Sequence, residues 1–529
     1  MRILAFNPGH DGACVLLESG RLTYSLEGEK DNRPRYDRIH LALFLRSLGF
    51  EEHPDVVAIS GFIDDMNLET VVGDAVESLD ESDAGYWSEG DTGKISRTFL
   101  FAGRSTHHFS SSHVRSHIMC CYGLSPFPQG QRCYVLIWEG LIGAFYYIDE
   151  QVRIKKIGDV LRYPGHRYIA SYVLASGKSL SGDPAGKVMA LAAYGRRGEP
   201  TAAEREFVDV LMEMDFAKIN ALLRGESYPS IQNYYEVGVE SKEFKDLAWQ
   251  VSEAIFGRFH AFAQRHITPG LPLLIAGGCG LNCDWNSHWR HCGLFSDVFV
   301  PPCPNDSGVA LGAAVDAQHH YTGCAKISWN VYAGEPFVED VVSSSYFDCV
   351  PLDLPTVCRW ILNGKVIAWV QGRYEIGPRA LGNRSLLAEP FSEKARDKLN
   401  RIKQRERYRP VAPICLEEEF DRHFENHGPS PHMLYFQRVK SPTLGAVTHV
   451  DGSARAQTVN DQQNPEFSEL LREFRKQSGV AVLCNTSLNF NGRGFVNHLS
   501  QLFRLANERG IDGIVVGGKF WGRRVETPH

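Results

Sequence analysis

Residues 2–28 and residues 132–158 open in the same way. The first stretch runs through the apolar segments "RILAFN", "GACVLLE" and "LTYSLEG", parted by "PGHD" and "SGR". The second runs through "RCYVLIWEG", "GAFYYID" and "VRIKKIG", again with turns between them. Short apolar runs bounded by Gly, Pro, Asp and Ser predict strands joined by tight turns. A chain that begins two halves with this unit and follows each with helical sequence predicts two αβ halves. If the halves face each other, as in two-lobed folds of this layout, the turns "NPGHDG" and "WEGLIG" point into one cleft between them. At 529 residues the chain is longer than one core usually grows, so more than one domain is expected.

Two halves of this kind are the layout of the actin-like ATPase (ASKHA) fold shared by sugar kinases and heat-shock chaperones. The expected class is therefore α/β, with an actin-like domain over residues 1–340. A second αβ region follows the composition break at "WNVYAGEPF", with the linker between Ala333 and Pro351, and occupies residues 350–529. In it "KVIAWVQG", "VAVLCNTS" and "GIDGIVVGG" read as strands, and the amphipathic "EKARDKLNRIKQRE" predicts a helix over 393–406.

The balance of 56 basic against 63 acidic residues gives a net charge of −7, with no basic block apart from a mixed patch near Lys394 to Arg409, which argues against a nucleic-acid or anionic-membrane partner. "MRILAFNPGHDG" has too short an apolar run for a signal-peptide core, and no apolar run reaches membrane-spanning length, so a cytoplasmic location is expected. The 13 cysteines form no paired C-x-x-C elements and read as reduced, mostly buried thiols.

Chemistry concentrates in a few stretches. In "STHHFSSSHVRSHI", His113 and His117 stand four apart, so on a helix both imidazoles leave one face and can close on one metal ion. The alternative is a pair of exposed or capping histidines. Val114 excludes the zinc-protease motif, which needs a Glu there. "PPCPNDSGVALGAAV" offers Asp306 either as a distant third ligand or as a helix cap. "LLIAGGCGLNCDWN" runs from a strand into Gly277, Gly278, Gly280 and Asn282 ahead of a helix, a turn through which backbone amides can approach phosphate. Lys187, in "SLSGDPAGKVMALAAYG", is either a phosphate partner or a solvated lysine. In the second domain Arg373, Arg379 and Arg384, then Lys403, Arg405 and Arg409, then Asn485, Thr486 and Ser487 interleave cations with glycine, hydroxyl and amide groups. That mixture suits triphosphate and acyl-phosphate oxygens.

Taken together, "NPGHDGA", the paired histidines, "GKVMALAAYG", "GGCGLNCDWN", "PPCPNDSGVALGAA", "EIGPRALGNRSLLAEP" and "LCNTSLN" resemble the O-carbamoyltransferase family of antibiotic-tailoring and nodulation-factor enzymes (the NodU/CmcH type). The likeness keeps the family's order from the first residues to the last quarter of the chain, and "GPRALGNRS" is its most specific part. The resemblance implies an actin-like first domain, similar to the catalytic subunit of tRNA threonylcarbamoyl transferases, and a second domain similar to the YrdC group. It implies that the second domain makes carbamoyl adenylate from Mg-ATP and carbamoyl phosphate, and that the first transfers the carbamoyl group to a hydroxyl with the help of a metal. By that match His113, His117 and Asp306 are iron ligands, His10 is the catalytic histidine, and Arg379, Lys403, Arg409 and Ser487 belong to the adenylate-forming pocket. Glu139 falls in the phosphate and metal region, where many members carry Asp. Two imidazoles and a carboxylate with open positions suit Fe(II), with Zn(II) and Mn(II) as alternatives. His10 suits a base because an imidazole titrates near working pH.

Competing readings are an actin-fold sugar kinase with an appended domain, which would release ADP rather than AMP, a tRNA threonylcarbamoyl-type enzyme, and a pure binding module. The acceptor expected is a hydroxylated natural product, either a sugar of a macrolide or other glycoside or a cephem hydroxymethyl group. Tyr86, Trp87, Phe99 and Phe101 read equally as an acceptor pocket or as core.

Overall fold

The computed structural model describes residues 1–39, 53–61, 84–87, 93–101, 103–180, 183–425 and 428–524. The repeated opening becomes two sheets of matching order. The first holds β1 (Arg2–Asn7), β2 (Ala13–Glu18), β3 (Arg21–Glu27), β4 (Val56–Ser60), β5 (Lys94–Phe101) and β6 (Arg104–Ser111), ordered β3-β2-β1-β4-β6-β5. The second holds β7 (Cys133–Trp138), β8 (Gly143–Ile148), β9 (Ile154–Asp159), β10 (Leu273–Ala276) and β11 (Val298–Phe299), ordered β9-β8-β7-β10-β11. In both, the first three strands form an antiparallel meander and two later strands join the first in parallel. The added edge strand β5 pairs antiparallel with β6. This is the duplicated αβ layout expected from the sequence. Strands β1 and β7 are buried almost throughout, as continuous apolar runs must be when both faces of a sheet are covered.

Two helices, His113–Leu124 and Val309–Thr322, pack between these sheets. Their approach is close enough that a Cβ on Gly312 would lie 1.8 Å from the Ser116 carbonyl oxygen, and one on Gly123 2.7 Å from the Val315 side chain. A buried Arg115–Asp316 pair locks them, with the guanidinium donating at 2.6 and 2.7 Å. Small residues therefore set the distance between the helix bearing the paired histidines and the helix that follows Asp306.

The second domain centres on an eight-stranded mixed sheet. Its strands are β12 (Phe347–Pro351), β13 (Ile367–Val370), β14 (Arg384–Ala388), β15 (Ala412–Leu416), β18 (Gln457–Val459), β19 (Val482–Ser487), β20 (Gly513–Val516) and β21 (Lys519–Arg523), while β16 (Gln437–Arg438) and β17 (Ser453–Ala454) pair apart. Separate apolar clusters fill its two faces. The predicted helix over 393–406 ends at Ile402, because Gln404 adopts a left-handed φ of 49° and turns the chain back.

The two domains share polar contacts rather than a bare seam. Gly377, in the turn of "EIGPRAL", donates its amide to Glu27 Oε1 at 2.5 Å and accepts from Lys30 Nζ at 2.6 Å. Asn286 donates to the Leu434 carbonyl, and the Tyr435 hydroxyl donates to that of Val298. All 13 cysteines are free thiols, most of them buried. Among the described residues no helix is long and apolar enough to cross a membrane.

Candidate active site

Ser112 caps the His113–Leu124 helix, its side chain accepting the Arg115 amide at 3.2 Å, so the helix begins at His113 itself. One turn on, His117 lies on the same face. Their Nε2 atoms stand 3.2 Å apart and face two carboxylates. Glu139 Oε2 lies 3.2 Å from His113 Nε2 and 3.3 Å from His117 Nε2; Asp306 Oδ1 lies 3.7 and 3.3 Å from the same atoms. All four side chains are buried, and one ligand atom from each falls within 4.8 Å of the others. The structure thus brings His113, His117 and Asp306 together, and adds Glu139, which the sequence placed only in the general region of metal and phosphate.

The donor set fits a divalent ion. Bonds of about 2.1 Å to imidazole and carboxylate put neighbouring ligand atoms about 3.0 Å apart in an octahedron and about 3.4 Å apart in a tetrahedron, which brackets most of these spacings. Two buried carboxylates side by side call for positive charge between them. Burial pulls the His117 pKa down, but hydrogen bonds to Asp306 and Glu139 outweigh it and leave it raised to about 9. Burial pushes the Glu139 and Asp306 carboxyls up, yet the charge of His113 and its neighbours holds both below the usual carboxylate range.

His10 stands at the rim, on the turn between β1 and β2. Its Nε2 is 3.4 Å from Asp306 Oδ2 and its Nδ1 3.5 Å from Asp11 Oδ2. Asn7 ties the turn to the cluster: its amide donates to the carbonyls of His10 and Asp306 and its oxygen accepts the Gly9 amide. The charge of Asp306 raises the His10 pKa to about 9 against the pull of burial.

Across the domain interface lies a second centre, built of cations. Lys403 Nζ donates to the Ser487 carbonyl at 2.5 Å, Ser487 Oγ at 3.1 Å, and the Asn489 carbonyl and Oδ1, both at 2.5 Å. Burial, then Arg405, Arg409 and Arg35, push its pKa well below the ordinary lysine value. Burial and Arg455 lower Arg379 to about 9; burial and Arg409 lower Arg405 to about 9. So many cations within mutual reach make a place suited to a polyanion. Glu375 shapes the loop that delivers Arg379, one carboxylate oxygen accepting the amides of Leu381, Asn383 and Arg384. The turn Gly277–Asn282 spans both centres. The Cys279 thiol contacts the Glu139 carbonyl, while Arg379 donates to the Leu281 carbonyl at 3.0 Å. Arg35 and Arg455 escaped the sequence reading, since nothing local marks an isolated arginine as a member of a distant pocket.

Several expected binding residues are also engaged by the protein itself. Arg373 donates to the carbonyls of Gly334 and Ala333 and so holds the linker. Arg384 is fully buried and bonded to Asn497 and to the carbonyls of Gln371 and Gly372, so it braces the domain rather than facing a phosphate. Lys187, partly exposed, pairs with Glu406 across the interface at 2.8 Å. The amides of Gly277 and Gly280 donate to Pro304 and Gly277 carbonyls; Gly277, at φ 93°, is needed because a Cβ would strike Trp138 O at 2.4 Å. Gly277 and Gly280 are thus closely packed, whereas a Cβ on Gly278 would meet nothing within 4 Å. Gly278 sits inside the turn, and Asn282 caps the next helix through the amides of Asp284 and Trp285. Asn485 bonds Ala380 and Gln457, and Thr486 sits beside it in the buried strand β19. Arg409 reaches Asp183 at 3.1 Å. Of the four aromatics, Phe99 and Phe101 belong to the core around β4, Tyr86 bonds Glu139, and Trp87 lines a cavity of about 250 Å³ with Val114, Leu141, Tyr146 and Tyr163.

The imidazole–carboxylate cluster and the cation cluster thus stand on either side of one domain interface. The chain belongs to the carbamoyltransferase family: residues 103–315 match its N-terminal region (Carbamoyltransferase N-terminus) and residues 358–523 its C-terminal region (Carbamoyltransferase C-terminus). It is 45% identical over 537 residues to a 3'-hydroxymethylcephem-O-carbamoyltransferase of Streptomyces clavuligerus, covering 99% of each chain. It is also 45% identical over 538 residues to the enzyme of that name from Amycolatopsis lactamdurans, covering 99% of this chain and 100% of the other. Nodulation protein U of Rhizobium tropici is 33% identical over 540 residues, 94% of this chain and 92% of its own. Among solved structures, a candidate 2-dehydro-3-deoxygalactonokinase from Sinorhizobium meliloti aligns over 61% of this chain and 99% of its own, at 11% identity and a TM-score of 0.32, too distant to bear on the argument.

Proposed function

We propose that this enzyme places a carbamoyl group on the hydroxymethyl substituent of a cephem, drawing it from carbamoyl phosphate and ATP through a carbamoyl adenylate. The observation that carries the reading is the pairing of two chemically distinct centres on one interface, joined by the Gly277–Asn282 turn. A carbamoyl carbon is a poor electrophile because its nitrogen donates into the carbonyl, so a hydroxyl needs a better leaving group than carbamoyl phosphate alone provides. AMP is that group. Around Lys403, Arg379, Arg405 and Arg409, in a domain read as YrdC-like, the crowded positive charge steadies two anions brought together and the charge that shifts between them.

In the first domain His113, His117 and Asp306 would hold a divalent metal, Fe(II) by the mixture of nitrogen and oxygen donors. A cation there supplies Lewis acidity to a carbonyl or phosphate oxygen. His10 takes the acceptor's proton. A cation held by Asp306 would offset the carboxylate charge that raises the imidazole pKa and so would favour the neutral base. The cavity beside Trp87, at about 250 Å³, falls below the roughly 300–1,000 Å³ of sites for drug-sized ligands. It suits a compact ring system better than an oligosaccharide, and the cephem named for two relatives has that form.

The test is incubation of the purified chain with ATP, carbamoyl phosphate and a panel of hydroxylated natural products, following acceptor mass and nucleotide product. Water releases orthophosphate from carbamoyl phosphate, the carbamate left displaces pyrophosphate from ATP, and AMP leaves on transfer, so carbamoylated cephem with AMP, pyrophosphate and orthophosphate is expected. ADP as product, or carbamoylation confined to glycosides, overturns the reading.

A further inference from the structure

The cavity of about 250 Å³ beside Trp87 shares its walls with the imidazole–carboxylate cluster. Val114, in its lining, follows His113 on the same helix, and Leu141, Ile142 and Gly143 continue the hairpin turn that carries Glu139. Trp87 meets the Tyr86 ring edge-on at 4.9 Å, and that ring stacks on His113 at 4.1 Å. An acceptor lodged here sits against the cluster, so the remaining lining groups meet whatever flanks its hydroxyl. Three of those groups are charged: Lys156, Asp159 and Arg162. Lys156 Nζ stands 2.9 Å from Asp159 Oδ1, so that pair cancels. Arg162 is exposed, and among the described residues its guanidinium has neither a hydrogen bond nor an ion pair. The wall therefore carries one surplus positive charge beside the rings of Trp87, Tyr146 and Tyr163.

The backbone under that charge is fixed. The Arg162 carbonyl accepts Arg167 Nε at 2.9 Å. The Tyr163 amide donates to the Leu141 carbonyl at 2.9 Å and the Gly165 amide to the Glu139 carbonyl at 2.9 Å, which staples the segment to the turn bearing Glu139. Tyr163 also adopts a left-handed φ of 60°, rare for a bulky side chain, and strain of this kind collects where a site needs a set geometry. A guanidinium with a fixed base and an unfilled head is a ready partner for a carboxylate, which it grips through two parallel N–H donors.

Resting on the cephem reading above, we infer that Arg162 is a specificity-determining residue that holds the ring carboxylate of the acceptor. In a 3-hydroxymethyl cephem acid the hydroxymethyl group and a carboxylate occupy the two ends of one ring double bond. Presenting the hydroxyl to the cluster therefore also brings the anion towards the buried carboxylates of Glu139 and Asp306. Unopposed, it is repelled there; the surplus charge of Arg162 offsets the repulsion and turns the ring so that its hydroxyl faces inward. The acceptor this cavity selects is an acid, not a neutral alcohol of the same shape.

The test gives the full-length chain ATP, carbamoyl phosphate and either 3-hydroxymethyl cephem acid or its methyl ester, which keeps the ring and the hydroxyl but not the charge. For wild type the KM of the ester should lie about 30-fold above that of the acid, the effect of losing a charge-assisted pair. Arg162→Gln should raise the KM of the acid by about the same factor, leave that of the ester in place and change kcat little. Arg162→Lys, which restores the charge without the fork, should recover part of the loss. Equal KM for acid and ester in wild type overturns the inference with no substitution needed. So does a wild-type KM for the acid in Arg162→Gln, or an equal loss on acid and ester, because a merely structural defect does not tell the two apart. A wild type that carbamoylates neither compound instead brings down the cephem reading, and the inference with it.

Discussion

Gly312→Ala adds one methyl group, and the structure locates where it would go: 1.8 Å from the Ser116 carbonyl oxygen, 2.5 Å from its carbon and 3.0 Å from its Cα. All three are backbone atoms of the helix that carries His113 and His117, so no rotamer change relieves the clash. Restoring even a tight carbon–oxygen contact of about 3.2 Å requires the two helices to part by about 1.4 Å. Overpacking of this kind costs about 1–3 kcal/mol, which a chain with several large apolar clusters survives. The ligand geometry does not survive it, because a working site tolerates displacements of about 0.5 Å and Asp306 rides on the turn leading into the displaced helix. The variant is therefore expected to stay folded by circular dichroism, to turn ATP and carbamoyl phosphate over to AMP, and to lose Co(II) affinity by about 100-fold together with carbamoyl transfer. Equilibrium dialysis and nucleotide chromatography measure the two halves separately. If Gly312→Ala binds metal and transfers normally, helix spacing does not set the site. If it loses AMP formation equally, the damage is not confined to the first domain.

Lys403→Ala should abolish AMP formation from ATP and carbamoyl phosphate while still transferring from preformed carbamoyl adenylate; loss of both refutes the division of labour between the domains. His10→Ala should still form AMP but leave the acceptor unmodified, and normal transfer by that variant would show that His10 is no base. A chelator selective for transition-metal ions, used with Mg²⁺ in excess, should remove carbamoyl transfer and spare AMP formation, read in the same two assays. Burial opposes ionisation of Asp183, but Arg409 and Arg35 hold its pKa down at about 2. A depressed carboxyl pKa contributes stability that is complete above the ordinary value of about 4 and disappears as pH falls towards 2. The gap in urea midpoint between wild type and Asp183→Asn should thus be constant from pH 7 to about pH 4 and close below it. A gap that persists at pH 2 would mean the charge of Asp183 is not what joins the domains.

The cation pocket and the metal-suited cluster share a design in which each group is costly alone and tolerable only in company. Lys403 is far below its ordinary pKa, and the carboxylates of Glu139 and Asp306 are buried side by side. Such groups persist where a ligand of opposite charge completes them, a common mark of functional sites.

What the chain alone determined is whatever depends on near neighbours. Alternation of apolar residues and tight turns specified the two meanders, and four-residue spacing put His113 and His117 on one helical face, because strand and helix periods are local properties. Only the tertiary structure decided which distant groups joined them. Glu139 and Asp306 reach the imidazoles because a hairpin turn and a second helix are packed to a spacing set by Gly277 and Gly312. Among the arginines of "GRYEIGPRALGNRS", Arg379 faces the interface while Arg373 and Arg384 are taken up by main-chain carbonyls and an amide. A guanidinium has the same donors in every context, and its role is settled by the acceptor that folding brings within three ångströms of it.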